Sequence, residues 1–281
     1  MILIADGGST KTDWRLIKEG REYKQVQTSG FNPYLVGSDN IEEILWKELQ
    51  PYIDNEGVTE VHYYGTGCST PVKNAIVESA LEKIFTNAKI NISHDLFAAS
   101  RALCGDEEGI AAILGTGSNS CYYDGKSITE NIFSLGYFFG DEGSGAYLGK
   151  KLLSAYLHKE LPADLEEKLK VEYPKSLESI LDAVYTKPAP SRFLASFSKF
   201  INENREHPFI YALLSDAFRT FYKYQVCCYS KYREVPVHFV GSVAYHYQDI
   251  LTRIGSEFGI KTGKFIQAPI DGLVEYHLQN K

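Results

Sequence analysis

The chain has 281 residues, more than one compact core usually sustains, which points to two domains or one large one. Its 36 acidic residues against 29 basic give a formal net charge of -7, which argues against a general grip on nucleic acid or anionic membrane. Five cysteines (Cys68, Cys104, Cys121, Cys227, Cys228) without a C-x-x-C pair argue against a disulfide framework or a zinc site. With no apolar run of transmembrane length and no charged leader before Ile2, they fit a cytoplasmic protein.

In chain order, residues 2–5 predict a strand that ends at Asp6-Gly7-Gly8, and residues 12–17 a strand returning from it. Residues 25–28 read as a third strand. Apolar spacing through Ile41, Ile44, Leu45 and Leu49 predicts a helix over 40–52. A buried strand over 60–64 ends at Gly65-Thr66-Gly67, and an amphipathic helix follows over 71–85. A strand over 89–93 leads to His94-Asp95 and a short helix over 96–103. The pattern then restarts. An apolar strand over 109–114 runs into Gly115-Thr116-Gly117-Ser118-Asn119-Ser120 and then Cys121-Tyr122-Tyr123, as residues 4–12 do earlier. This weak internal repeat predicts two similar domains, 1–106 and 107–281, with a terminal helix that could pack back on the first. Helices are expected over 143–158, 193–202, 209–232, 242–258 and 272–278. Strands are expected over 236–240 and 264–266, so the class is α/β.

Five constellations carry chemistry. In Asp6-Gly7-Gly8-Ser9-Thr10-Lys11-Thr12 the glycines let backbone N–H groups approach an anion, the hydroxyls add donors, and Lys11 adds charge. Asp6 could hold Mg²⁺, through water. The loop is not a Walker A motif, and taken alone an anion grip and a plain hairpin turn are evenly matched. The second tip, residues 115–119, is equally a tight turn alone; two tips in a repeated unit could clamp a polyphosphate. Val240-Gly241-Ser242-Val243 suits an adenosine lying on backbone or an ordinary strand–helix turn. In Gly140-Asp141-Glu142-Gly143-Ser144-Gly145 the acids suit an N-cap, but glycines there cost helix stability, so something should pack closely against this helix start. Asp95 at a strand's carboxyl end suits a general base or, as a lone residue, a helix cap.

Together these residues resemble the N-acetylglucosamine kinase branch of the actin, sugar-kinase and heat-shock-ATPase superfamily. They are also similar to the broader ATPase group that includes activators of benzoyl-CoA reductase and hydroxyacyl-CoA dehydratases. The matching pieces are 6–12, Asn32, Asp95, 115–119, 140–144 and 240–243, in the family's order across almost the whole chain. The resemblance implies two similar actin-like (ribonuclease H-like) domains with an interdomain cleft for ATP and sugar. It implies ATP contacts at Gly7, Gly8, Ser9, Thr10, Lys11, Thr116, Gly117, Gly241 and Ser242, with Asp6 near Mg²⁺. Sugar contacts are implied at Asn32, Asp95, Ser118, Asn119, Ser134, Leu135, Gly136 and Asp141, with Asp95 as catalytic base. Leu135 or Tyr137 stands where animal relatives carry a Trp, and Lys11 where they carry Arg.

The activity so implied is ATP-dependent phosphorylation of the 6-hydroxyl of an amino sugar, N-acetylglucosamine foremost. The partners are ATP and a small sugar, without nucleic acid or membrane, in a possible homodimer. The rival readings are an ATP-driven activator of a dehydratase, for which Cys227-Cys228 in a long helix are poorly arranged, and a non-catalytic sugar sensor.

Overall fold

The structure, a computed structural model, describes residues 1–173 and 176–280. It divides into two units, Met1–Asp106 with Ala268–Lys281 and Glu107–Gln267.

In the first unit the strands are β1 (Ile2–Gly7), β2 (Lys11–Lys18), β3 (Arg21–Ser29), β4 (Glu60–Gly65) and β5 (Lys89–His94), in the order β3-β2-β1-β4-β5. The first three pair antiparallel, and β1, β4 and β5 run parallel. Helices α1 (Ser38–Glu48), α2 (Pro71–Ile84) and α3 (Asp95–Cys104) connect them. Successive strand residues point to opposite faces. Leu3, Ala5, Trp14 and Leu16 accordingly pack with residues of α1 and α2, whereas Ile4, Ile17 and Tyr64 pack with Ala98 of α3 and Ile270, Leu273 and Val274. Each fully buried aliphatic side chain contributes about 1.5–3 kcal/mol, enough to make the C-terminal helix (Ile270–Gln279) an integral layer of this unit. That helix also brings His277 against His62, ring centroids 4.1 Å apart, and to Tyr64, whose hydroxyl lies 2.9 Å from Nε2.

The second unit repeats the plan. Its strands are β6 (Glu108–Leu114), β7 (Ser118–Asp124), β8 (Ile128–Ile132), β9 (Val237–Val240) and β10 (Thr262–Ile266), ordered β8-β7-β6-β9-β10. Again the first three pair antiparallel and the rest parallel. The duplication visible in the glycine tips therefore extends to the whole sheet of each unit. Strand β8 was not expected; Thr129, Glu130 and Asn131 are polar and exposed at the sheet edge, so no hydrophobic alternation marks it.

The helices of this unit are α4 (Gly136–Phe139), α5 (Gly145–Leu157), α6 (Ala163–Glu172), α7 (Leu177–Tyr185), α8 (Pro190–Ala195), α9 (Ser198–Glu203), α10 (Pro208–Phe221), α11 (Ser242–His246) and α12 (Gln248–Glu257). The helix expected over 193–202 is two short ones, and that over 242–258 breaks at Tyr247. The long helix expected over 209–232 ends at Phe221 and passes through a π-helical turn, Tyr222–Val226. Cys227 closes that turn, its N–H donating to the Tyr222 carbonyl at 2.8 Å, so the vicinal cysteines lie beyond the helix rather than in it. Among the described residues there is no disulfide, and no helix is long and apolar enough to cross a membrane.

Candidate active site

In the first unit the candidate residues gather at the carboxyl ends of β1, β4 and β5, where ligands of open α/β sheets usually sit. Gly7 ends β1, and residues 8–10 form the turn. The Gly8 N–H donates to the Lys11 carbonyl, and the Gly30 N–H to the Thr10 carbonyl, both at 2.9 Å. Ser9, Thr10 and Lys11 are exposed at the tip. Lys11 opens β2, with its Nζ 2.9 Å from the Asp13 carboxylate.

Asp13 went unremarked in the sequence. The hairpin register sets it directly opposite Asp6, and two carboxylates so placed repel. Burial, then Asp13, then Asp95 push the Asp6 carboxyl up to about 7, against the pull of Lys11 and Arg15. Burial also acts upward on Asp13, but a 2.7 Å hydrogen bond from Gln27, the bond from Lys11 and the charges of Lys11 and Arg15 outweigh it. Asp13 is thereby held below its ordinary value.

Asp95 is the first residue of α3, but it is not the cap. The His94 Nδ1 accepts from the Phe97 N–H at 3.3 Å and caps the helix. The Asp95 carboxylate is thus spared that duty. Its Oδ1 accepts from the Leu96 N–H at 2.8 Å and its Oδ2 from the Thr66 hydroxyl at 3.4 Å. Burial raises its proton affinity, and His94, the Leu96 amide and Thr66 oppose the rise. Asn32 lies close by: its Oδ1 accepts from the Tyr34 N–H at 2.9 Å and sits against Gly67. Gly67 has φ +82, and a Cβ there would stand 2.4 Å from that oxygen, so only glycine fits. In sequence this β4 exit, Gly65-Thr66-Gly67-Cys68, marks a strand end and nothing more, although its Gly-Thr-Gly is repeated at Gly115-Thr116-Gly117.

In the second unit the expected close packing at the 140–145 turn is met by the 115–116 loop. The Gly145 N–H donates to the Gly115 carbonyl at 2.8 Å and the Ala146 N–H to the Thr116 carbonyl at 3.0 Å. Ser144, not Asp141, caps α5, its Oγ accepting from the Tyr147 N–H at 3.2 Å. The buried Asp141 carboxylate is left to accept, at Oδ1, from the Ser118 N–H and the Ser134 hydroxyl, each at 3.2 Å. Burial raises its proton affinity against those two bonds.

The second unit thus draws Gly117, Ser118, Ser134 and Asp141 into one cluster. The Ser118 Oγ is buried there without a hydrogen-bond partner among the described residues. Gly136 donates its N–H to the Ser134 Oγ at 3.4 Å, while the Leu135 side chain is 59% exposed. The Asn119 side-chain oxygen is already engaged by the Ser120 N–H at 2.9 Å and by Asn131 at 3.4 Å, leaving its amide N–H groups for other partners. Gly241 follows β9 at φ +119, where a Cβ would lie 2.3 Å from the Leu114 carbonyl oxygen, so the β9 exit packs tightly against the end of β6. Ser242 opens α11 behind it.

Among the described residues no group of three or more His, Cys, Asp or Glu could hold a metal ion. The environment of Asp6, a carboxylate pushed toward neutrality by burial and by two other carboxylates, nevertheless suits a hard, oxygen-preferring cation that keeps much of its water.

The doubled β3-β2-β1-β4-β5 plan, with glycine tips on both copies, defines a two-unit α/β protein of the actin-like sugar-kinase fold. No family model matches the chain. It is 42% identical to a protein of Porphyromonas gingivalis described as a proposed N-acetylglucosamine kinase, over 100% of this chain and 99% of that one, with a TM-score of 0.95. A protein of Chromobacterium violaceum, likewise described, shares the fold at TM-score 0.73 and 17% identity, over 98% of each chain. An N-acetylmuramic acid/N-acetylglucosamine kinase of Clostridium acetobutylicum is 26% identical over 222 residues, 72% of this chain and 69% of that protein. The chain belongs to the N-acetylglucosamine kinase-like family.

Proposed function

We propose that the protein is an ATP-dependent kinase that phosphorylates the 6-hydroxyl of an amino sugar, with N-acetylglucosamine as the preferred substrate. The observation that carries this reading is Asp95: a half-buried carboxylate, released from capping by His94, held at both oxygens and electrostatically coupled to Asp6 beside the phosphate hairpin. The names of the Porphyromonas and Clostridium relatives support the substrate class.

In this reading the backbone N–H groups and hydroxyls of residues 7–11 in the first unit, and of Thr116 and Gly117 in the second, hold the nucleotide phosphates. Gly241 and Ser242 take the adenosine. Asn32, Asp95, Ser118, Asn119, Ser134, Leu135, Gly136 and Asp141 take the sugar; the Ser118 hydroxyl, without a hydrogen-bond partner among the described residues, and the organised Asp141 carboxylate suit sugar hydroxyls. Asp6 would hold Mg²⁺ through water, and the ion would supply neutralisation of phosphate charge.

The sugar 6-oxygen attacks the γ-phosphorus while Asp95 accepts the hydroxyl proton. The new C6–O–P linkage forms as the bond from the γ-phosphorus to the β–γ bridging oxygen breaks, and ADP leaves with that electron pair. The proton passes from Asp95 to solvent. Positioning and charge stabilisation supply most of the rate.

Coupled ATP consumption, measured across a panel of N-acetylglucosamine, glucosamine, N-acetylmuramic acid, N-acetylmannosamine and glucose, tests the proposal. ATP turnover that rises with an amino sugar, with phosphate found on its 6-oxygen, is expected. Equal ATP hydrolysis with and without every sugar would overturn it.

A further inference from the structure

The β4 exit holds a residue to which neither the motifs nor the proposed mechanism gives a role. We propose that Thr66 is a positioning residue: it fixes the Asp95 carboxylate for proton abstraction and ties it mechanically to the phosphate hairpin. The inference rests on the kinase reading above.

Thr66 bonds in two directions. Its N–H donates to the Gly7 carbonyl at 2.8 Å, at the point where β4 and β1 end side by side, with Gly7 opposite Gly65. Its hydroxyl donates to Asp95 Oδ2 at 3.4 Å. One residue therefore spans from the last residue of the phosphate strand to the base. The next residue, Gly67, backs the Asn32 side chain through the space its missing Cβ leaves. The second unit has a matching arrangement: the corresponding exit, from β9, is Gly241-Ser242, the turn assigned to adenosine. The duplicated plan gives both exits a place at the carboxyl edge of a sheet, and among the described residues only the first places a hydroxyl on a carboxylate.

The chemistry needs such a residue. Asp95 shares its surroundings with Asp6 from β1, with His94 on its own chain and with the Cys68 thiol from the β4 exit. Asp6 in turn faces Asp13, Lys11 and Arg15. A carboxylate repelled by Asp6 would rotate away unless both oxygens were anchored. The Leu96 N–H anchors one and Thr66 the other, and each oxygen keeps a lone pair for a substrate hydroxyl. The Thr66 hydroxyl also favours the ionised form of Asp95, the form that accepts a proton.

Thr66→Val keeps the shape and removes the hydroxyl; Thr66→Ser restores it. For Thr66→Val the expectation is a fall in kcat of roughly 10–100-fold with ATP affinity within about twofold of wild type. The acid limb of its pH–rate profile should move to higher pH, because a lost donor raises the proton affinity of the base. Thr66→Ser should recover most of both. A readout independent of turnover is the carboxyl ¹³C titration of Asp95 in the intact chain, whose midpoint should lie higher in Thr66→Val than in wild type or Thr66→Ser. If the valine variant melts early, Thr66→Ala takes its place. Equal midpoints in all the variants would overturn the proposal whatever the activity. Shifted midpoints in a chain that phosphorylates no sugar would uphold the contact and overturn the kinase reading instead.

Discussion

Asp6 and Asp13 stand opposite each other across the β1–β2 hairpin, two carboxylates in one registered pair, and burial first, then this pairing, pushes the Asp6 carboxyl up to about 7. A carboxyl whose folded value lies above its unfolded value binds a proton more tightly in the native state. Stability from that proton is therefore complete below about pH 4 and drains away as pH rises toward 7.

Asp6→Asn mimics the protonated acid at every pH. It should raise the unfolding free energy at pH 8, by an amount on the order of a few kcal/mol or less, and with it the melting temperature, and leave both nearly unchanged at pH 4. It should also weaken dependence on Mg²⁺ and depress turnover. Scanning calorimetry of both proteins at the two pH values checks the sign.

Asp95→Asn retains the size of the side chain and removes the base. Turnover should fall by about 10²–10⁴-fold, while nucleotide affinity, measured by calorimetric titration, stays within about twofold. A fall in affinity equal to the fall in turnover would move Asp95 from base to ligand.

Gly67→Ala would place a methyl 2.4 Å from the Asn32 Oδ1 on backbone at φ +82. Asn32 and Pro33 must yield, so the KM for sugar should rise well before the KM for ATP does. The cost in stability should be about 1–3 kcal/mol, read from denaturant unfolding.

Gly241→Ala drives a methyl into the Leu114 carbonyl, which is backbone and cannot swing aside. The whole β9 exit must shift. A loss of about 2 kcal/mol or more is expected, with ATP affinity reduced more than sugar affinity in paired binding titrations.

The sequence by itself determined the local grammar of the protein. The apolar run of residues 2–5, the glycine tips at 7–8 and 115–117 and the amphipathic run from Pro71 are each set by interactions within about a dozen residues. Their strands and helices form where periodicity and glycine place them. The polar edge strand β8 left no such mark, and beyond the end of α10 at Phe221 the chain engages distant partners: the Tyr222 hydroxyl donates to the Leu251 carbonyl at 2.9 Å, and the Tyr229 hydroxyl lies 2.8 Å from the Ser120 Oγ.

Only the tertiary structure decided which acids are available for chemistry. Asp95 and Asp141 both sit where a cap is expected, and in each case a neighbour, His94 or Ser144, does the capping. It also set Asp13 against Asp6, brought Thr66 to Asp95 across 29 positions, and returned the helix at Ile270–Gln279 to the first unit. Thr66 with Asp95, and the Ile270–Gln279 helix with the first unit, meet only once sheet register and helix packing bring separate elements together, whereas the Asp6–Asp13 pair and the His94 and Ser144 caps lie within short stretches of chain and were decided by hairpin register and helix-start geometry.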